Sequence, residues 1–281
     1  MIVRQALARA GEILAASSIE NPSLESELLL RHTLGIDRVQ LYLDFDYELN
    51  PEEYEKFRSL VQRRLSNEPT AYITGHREFY GLDFYVDSSV LIPRPETELL
   101  VDKVFELSKE RSLSTIADIG TGCGAIAISL AANLPQARIY ATDISAAALE
   151  VALSNCWKHG MEDRIILLEG DMLDSLPEPV DIIVANLPYV RESELATVNT
   201  HDFEPSLALG GGADGLDKIR RLCGQVSEKL SPGGSMLLEI GQGQGEAVTG
   251  LLRSLFPSTV IEVEPDLCGI ERIVSLSLVQ Q

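Results

Sequence analysis

Residues 95–281 read as an α/β domain on a largely parallel sheet, residues 1–74 as a small helical bundle, and residues 75–94 as a hairpin linker between them. Two observations predict the sheet. Apolar runs alternate with helical patterns from residue 115 to the end, the signature of strand–crossover–strand units. The last two runs, 258–265 and 270–277, are joined by a short link at Pro265-Asp266, too short for a crossover helix, so they pair antiparallel. A third observation predicts the bundle: amphipathic periodicity, bounded by cap residues, runs through the first 66 residues.

Residues 2–17 place Val3, Leu7, Ala10 and Leu14 on one helical face. Asn21-Pro22 reads as an N-cap followed by Pro at the first helical position, and Gly35 as that helix's stop. After a short segment at 39–43, Asn50-Pro51-Glu52-Glu53 opens a helix to about Ser66, with Asn as cap and Glu three residues on. Residues 78–86 alternate large apolar side chains around Gly81-Leu82-Asp83, a hairpin pattern. Pro93 and Pro95 hold the loop Leu91-Ile92-Pro93-Arg94-Pro95-Glu96 extended, because a residue before proline avoids the helical region. Thr97-Glu98 then leads into a helix to about Lys109. Strands follow at 115–119, 137–143, 164–169, 180–185, 234–240, 258–265 and 270–277, with helices near 124–133, 145–159, 216–230 and 244–255.

With 281 residues, 45% of them hydrophobic, the chain can bury a sizeable core in two domains, yet no segment approaches the roughly 20 apolar residues of a membrane span. Met1-Ile2-Val3-Arg4-Gln5 opens an amphipathic pattern and no signal-peptide core. Cys123, Cys156, Cys223 and Cys268 lie far apart without a CxxC pair, which points to reduced thiols in a cytoplasm and to neither a metal site nor a disulfide framework. The formal charge is -20; residues 1–75 carry 8 basic and 12 acidic side chains and the remainder 15 and 31, so both parts are acidic. Such a surface repels a phosphate backbone and favours a protein or small molecule as partner over nucleic acid.

Ile116-Ala117-Asp118-Ile119-Gly120-Thr121-Gly122-Cys123-Gly124-Ala125 is a strand, a glycine turn and a helix start. Backbone at Gly120, Thr121, Gly122, Cys123 and Gly124 can approach a ligand closely, and Asp143, closing the second strand, is placed to accept hydrogen bonds from ribose hydroxyls. Both features suit NAD and S-adenosylmethionine alike. Asp118 separates them: a carboxylate at the mouth of the loop would repel pyrophosphate but suits a cofactor carrying an ammonium and a sulfonium. After the third strand, Asp171 is placed to meet an adenine amino group and Met172 its face, although a solvated turn explains Asp171 as well. The acids at three successive strand ends favour S-adenosylmethionine.

The fourth strand, Asp181-Ile182-Ile183-Val184-Ala185, stops abruptly at Asn186-Leu187-Pro188-Tyr189. Ligands of open α/β sheets bind beyond the carboxyl ends of the strands. An Asn there, with Pro188 fixing the turn and Tyr189 as a wall, offers hydrogen bonds to a flat, uncharged polar group, as an NH2 awaiting alkylation would require. A plain strand-ending turn is the other reading of these four residues; the glycine loop upstream favours the first.

With these residues in view, DIGTGCGAIAISLA followed by NLPY resembles the class I methyltransferases that alkylate amide or exocyclic amino groups. LIPRPETE before the sheet and EPSLALGGGADGLD (Glu204 to Asp217) after NLPY are narrower, and together resemble the HemK/PrmC family of release-factor glutamine methyltransferases over nearly the whole chain. The resemblance implies a class I methyltransferase, Rossmann-like seven-stranded sheet with a C-terminal antiparallel hairpin, preceded by a small helical bundle. It also implies N5-methylation of the glutamine in the GGQ loop of class I peptide chain release factors, and S-adenosylmethionine as donor. The family's tetrapeptide is usually NPPY, and Leu187 replaces its first proline. In the family the Asn side chain and the next residue's carbonyl hold the substrate NH2, a role a leucine carbonyl can fill.

Asn186 and Leu187, with Pro188 and Tyr189, are therefore the expected catalytic residues, and Gly120–Gly124, Asp143, Asp171, Met172 and Asn186 the expected cofactor site. No general base stands out beside Asn186; His201 is better read as an ordinary loop histidine. The rival readings are a ribosomal-protein glutamine methyltransferase, whose loop before the sheet differs, an adenine-directed rRNA or DNA methyltransferase acting on a flipped base, a NAD-dependent oxidoreductase, and a non-catalytic cofactor-binding module. The bundle serves either as a solvated cap or as a grip on a macromolecular substrate.

Overall fold

Capping chemistry accounts for much of the first unit of the chain, Met1–His76; the second is Arg77–Gln281. The computed structural model describes residues 1–195 and 203–278. The first unit holds α1 (Val3–Ala16), α2 (Pro22–Leu34), α3 (Arg38–Leu43), α4 (Pro51–Leu65) and α5 (Thr70–Thr74). At α4 the Asn50 side chain accepts from Glu53 N and Glu53 reaches back to Asn50 N, the reciprocal box the sequence predicts. Asn21 behaves differently. It precedes α2 in a left-handed conformation and its side chain makes no cap bond, because that backbone turns the carboxamide away from the helix's first amides. Gly35 ends α2 with φ 65°, as expected of a C-terminal glycine. Val3, Ala6, Ala10 and Leu14 of α1 pack with Leu29, Leu30, Phe57, Leu60 and Ile73 into a core of this unit's own.

β1 (His76–Phe79) and β2 (Leu82–Tyr85) form the hairpin. Its turn lies at Tyr80-Gly81, both with positive φ, the geometry that matches strand twist. A single 3-10 turn, Pro95–Thr97, carries the chain into α6 (Glu98–Glu110). The sheet then alternates: β3 (Thr115–Ile119), α7 (Ala125–Asn133), β4 (Arg138–Asp143), α8 (Ala146–His159), β5 (Ile165–Glu169), β6 (Val180–Ala185), α9 (Ser206–Leu209), α10 (Asp217–Cys223), α11 (Val226–Lys229), β7 (Leu230–Glu239), α12 (Gly245–Leu255), β8 (Thr259–Pro265) and β9 (Glu271–Leu278).

The strand order is β5-β4-β3-β6-β7-β9-β8; the first five strands run parallel, and β9 pairs antiparallel with both β7 and β8. The expected C-terminal hairpin is thus present. Strands β3 and β6 are nearly continuous apolar runs because helices cover both faces. The order reverses between β3 and β6, so their carboxyl ends open the crevice in which ligands of such sheets sit.

Two elements depart from the sequence reading. The helix expected at 216–230 is two short ones, broken at Gly224, where no side chain supports a helix interior. β7 starts at Leu230, ahead of the expected 234, because its pairing with β6 shifts from Val180↔Leu230 to Ile182↔Ser235 and absorbs the Pro-Gly-Gly stretch as a bulge. Among the described residues no helix is long and apolar enough to cross a membrane.

Candidate active site

The glycine loop is built by backbone bonding across the end of β4. Gly120 N and Thr121 N both donate to Thr142 O at 2.9 Å, and Gly122 N donates to Asp143 Oδ2 at 2.9 Å. Gly120 and Gly122 hold φ 71° and 56°, which a side chain would strain. Asp143 Oδ1 accepts Ser145 N at 2.9 Å, so each oxygen already takes one backbone donor and keeps lone pairs for a ligand. Burial raises the Asp143 pKa while those amides pull it down.

Asp118 lies beneath the loop and not at its mouth. It is 1% exposed; Oδ2 accepts the Thr121 hydroxyl at 2.7 Å and Ala127 N at 3.1 Å, and Oδ1 has no partner among the described residues. Burial pushes its pKa up to about 7. Its visible work is to tie the loop to α7, so the charge argument drawn from its place in the sequence loses its footing. Cys123 lines the cavity as an inert group, its thiol pushed up to about 12 by burial. Gly124 caps α7 at φ 84°, where a Cβ would come within 3.1 Å of Ile128 Cδ1, and it does not line the cavity.

One cavity at the carboxyl ends of β3, β4 and β6 brings together Gly120–Cys123, Asp143, Asp171, Met172, Asn186, Leu187 and Pro188. Asp171 is ion-paired with Arg221 of α10, and Met172, at φ 55°, accepts the Thr142 hydroxyl through its carbonyl at 3.0 Å. Arg94, on the cavity's other side, is likewise committed: its Nη2 lies 2.8 and 2.6 Å from the two oxygens of buried Glu204. Both arginines are thus paired to carboxylates, Lys218 is a third basic residue lining the cavity, and Asp143 keeps lone pairs for a ligand's hydroxyls.

Asn186 stands half-buried at the end of β6 and donates through Nδ2 to Thr97 Oγ1 at 3.0 Å. Thr97 donates to Glu239 Oε2 at 2.6 Å, and the Tyr189 hydroxyl donates to Glu239 Oε1 at 3.2 Å. Tyr189 therefore points at Glu239 and is not among the cavity-lining residues. Leu187 is 4% exposed, its side chain in the sheet's core, where a Cβ on Gly120 would lie 3.4 Å from its Cδ2 and 4.0 Å from Asn186 O. The turn and the glycine loop thus touch. His201 lies outside the described residues.

The two narrow motifs of the sequence meet at this turn. Glu204 accepts from Arg94 and from Ile92 N at 3.1 Å, clamping the loop before the sheet to the segment after it. Gly211 and Gly215 then press flat on the tetrapeptide: a Cβ on Gly211 would fall 2.8 Å from Pro188 O and 2.7 Å from Gly215 O, and one on Gly215 would collide with Tyr189 O. Gly211 N donates to Val190 O at 2.8 Å, and Gln244 Nε2 to Tyr189 O at 3.1 Å.

Sequence reasoning missed Thr97, Glu239 and Asn155. Asn155, fully buried on α8, bonds Tyr85 N and O and the Cys123 carbonyl, joining the hairpin to the glycine loop. Signals existed: Asn155 interrupts the buried stripe of Ala148, Val151 and Ala152, and Glu239 is a lone charge after Met236-Leu237-Leu238. Buried polar groups at such positions are there to be bonded.

Comparison with known proteins agrees with this anatomy. Residues 5–75 match the family described as the PrmC N-terminal domain, and residues 95–204 the methyltransferase small domain. The release factor glutamine methyltransferase of Moorella thermoacetica is 45% identical, over 97% of each chain. That of Geobacter sulfurreducens is 42% identical, over 93% of this chain and 91% of its own. Among solved structures, a methyltransferase from Pyrococcus furiosus aligns with a TM-score of 0.52 at 16% identity, covering 78% of this chain and 98% of that one, a likeness of fold.

Proposed function

The chain belongs to the release factor glutamine methyltransferase family, and we propose that it transfers a methyl group from S-adenosylmethionine to the side-chain amide nitrogen of the GGQ glutamine in class I peptide chain release factors. The observation that carries this reading is the contact between the two halves of the site: Asn186 and Leu187 border Gly120 in a single cavity. An acceptor held by the tetrapeptide is then adjacent to a donor held by the glycine loop. Bound there, S-adenosylmethionine supplies an electrophilic methyl on a sulfonium.

An amide nitrogen is a poor nucleophile, so the residues' task is orientation. Asn186 Oδ1 and the Leu187 carbonyl accept the two N–H bonds of the substrate NH2 and aim its nitrogen, while Pro188 fixes the turn. Proximity and orientation can supply roughly 7–11 kcal/mol of a barrier. Glu239 reaches this point only through Thr97 and is no direct base. Asp143 accepts the ribose hydroxyls, Asp171 and Met172 border the adenine, and Gly120–Cys123 supply the close backbone.

Asp143→Ala is expected to weaken S-adenosylmethionine binding by about 1.5–3 kcal/mol, because a charged acceptor and the Gly122 tether are lost together. Unchanged affinity by calorimetry removes Asp143 from the site. The helical unit is proposed to dock the release factor in the cytoplasm. Deleting residues 1–74 should leave cofactor affinity intact, raise KM for the protein, and hardly alter activity on a short GGQ peptide; equal loss on both substrates would assign the unit to folding.

A methyl-transfer assay tests the function directly. Label should pass to an intact class I release factor and not to rRNA, in keeping with the charge of -20. Transfer to rRNA alone would overturn the reading in favour of an adenine-directed enzyme.

A further inference from the structure

We infer that Glu239 is a positioning residue that, through Thr97, fixes which end of the Asn186 carboxamide faces the acceptor, and so makes the site selective for an N–H donor. The inference rests on the proposed amide methylation and deepens it. The Thr97 hydroxyl has one proton, and it lies 2.6 Å from a carboxylate oxygen that has none to give. Thr97 therefore donates to Glu239, and its oxygen can only accept from Asn186, 3.0 Å away. The Asn186 atom facing Thr97 must be the NH2. Its Oδ1, which accepts no hydrogen bond among the described residues, is left to receive a substrate N–H. With Glu239 neutral, the proton of Thr97 is free to turn toward Asn186, the carboxamide can flip, and an NH2 would then meet an NH2.

The same carboxylate accepts from Tyr189, so one buried group holds both ends of the tetrapeptide. Glu239 is 2% exposed. The Thr97 and Tyr189 hydroxyls and Arg272 favour the carboxylate, while burial, above all, and Glu96 disfavour it, leaving its pKa raised. Activity that needs the charged form is therefore full at high pH and falls as pH drops through this raised value, earlier than for a surface glutamate.

The test compares Thr97→Val, Thr97→Ser, Glu239→Gln and the double variant Thr97→Val/Asn186→Ala in the full chain, using intact release factor. Thr97→Val and Glu239→Gln should each lower kcat by about tenfold or more, as loss of one orienting hydrogen bond does, with S-adenosylmethionine affinity unchanged. Thr97→Ser should restore most of the rate, Glu239→Gln should abolish the acid limb of the kcat profile, and the double variant should be no slower than Asn186→Ala alone. Wild-type kcat in Thr97→Val and Glu239→Gln, or additive losses in the double variant, would overturn the inference. A binding-only arm stands apart from the choice of acceptor. In protein carrying isotope-labelled asparagine, the Asn186 NH2 resonances should shift and exchange faster in Thr97→Val. Unchanged resonances overturn the relay even if the wild type methylates release factor; an inactive wild type with the shifted resonances overturns the function and leaves the relay standing.

Discussion

Asn186→Ala is expected to lower kcat by about 10²-fold or more, by analogy with removing one preorganised transition-state hydrogen bond, while S-adenosylmethionine binds nearly as before. Asn186 sits at the carboxyl end of a strand buried at every position but Asp181, with its NH2 already tied to Thr97, and its remaining polar atom is the one proposed to hold the acceptor. Truncation also frees the Thr97 oxygen, which small solvent can satisfy. Leu187 tests the other half of the grip. Its amide makes no hydrogen bond among the described residues, so Leu187→Pro removes no donor in use. What it does remove is a buried side chain against Gly120. Leu187→Pro should therefore cost stability on the order of 1–3 kcal/mol but much less kcat than Asn186→Ala. Leu187→Gly should be slower than Leu187→Pro because added backbone freedom blurs the alignment. A fully active Asn186→Ala enzyme would end the orientation mechanism.

Arg94→Met is expected to destabilise the protein by about 3 kcal/mol, the lower end for breaking a buried ion pair, since the arginine side chain is 35% exposed and that of Glu204 not at all. The buried glutamate then loses its guanidinium partner, while the bond from Ile92 N stays. The loop from Ile92 to Thr97 loosens with it, so KM and kcat should both suffer. Arg94→Met/Glu204→Met should recover much of the loss, because two apolar groups leave no charge stranded. Thermal unfolding of the three proteins checks this; an Arg94→Met variant as stable as wild type would mean the pair holds nothing together.

Much of the fold was legible because its central strands β3 and β6 are buried almost throughout and read as nearly unbroken apolar runs, and because caps such as Asn50 and stops such as Gly35 act locally. What was not legible is long-range. Pro232-Gly233-Gly234 breaks a strand by every local rule, yet pairing with β6 carries it as a bulge. LIPRPETE has no local reason to be polar. Its Arg94 meets Glu204 110 residues on, and its Thr97 meets Glu239 142 residues on. Gly211 and Gly215 stand in the sequence only as parts of a motif, whereas space is what demands them: the Pro188–Tyr189 backbone occupies the place of their side chains. Asp118 shows the opposite error, a charge read as facing a ligand that instead faces inward.

The measurement that tests the central claim most directly is fragmentation mass spectrometry of a class I release factor after incubation with the enzyme and S-adenosylmethionine. One methyl on the side-chain nitrogen of the GGQ glutamine, formed about 10²-fold or more slowly when Asn186→Ala replaces the wild type, is the predicted result. A methyl on any other residue, or unmodified GGQ peptide alongside a methylated RNA, would contradict it.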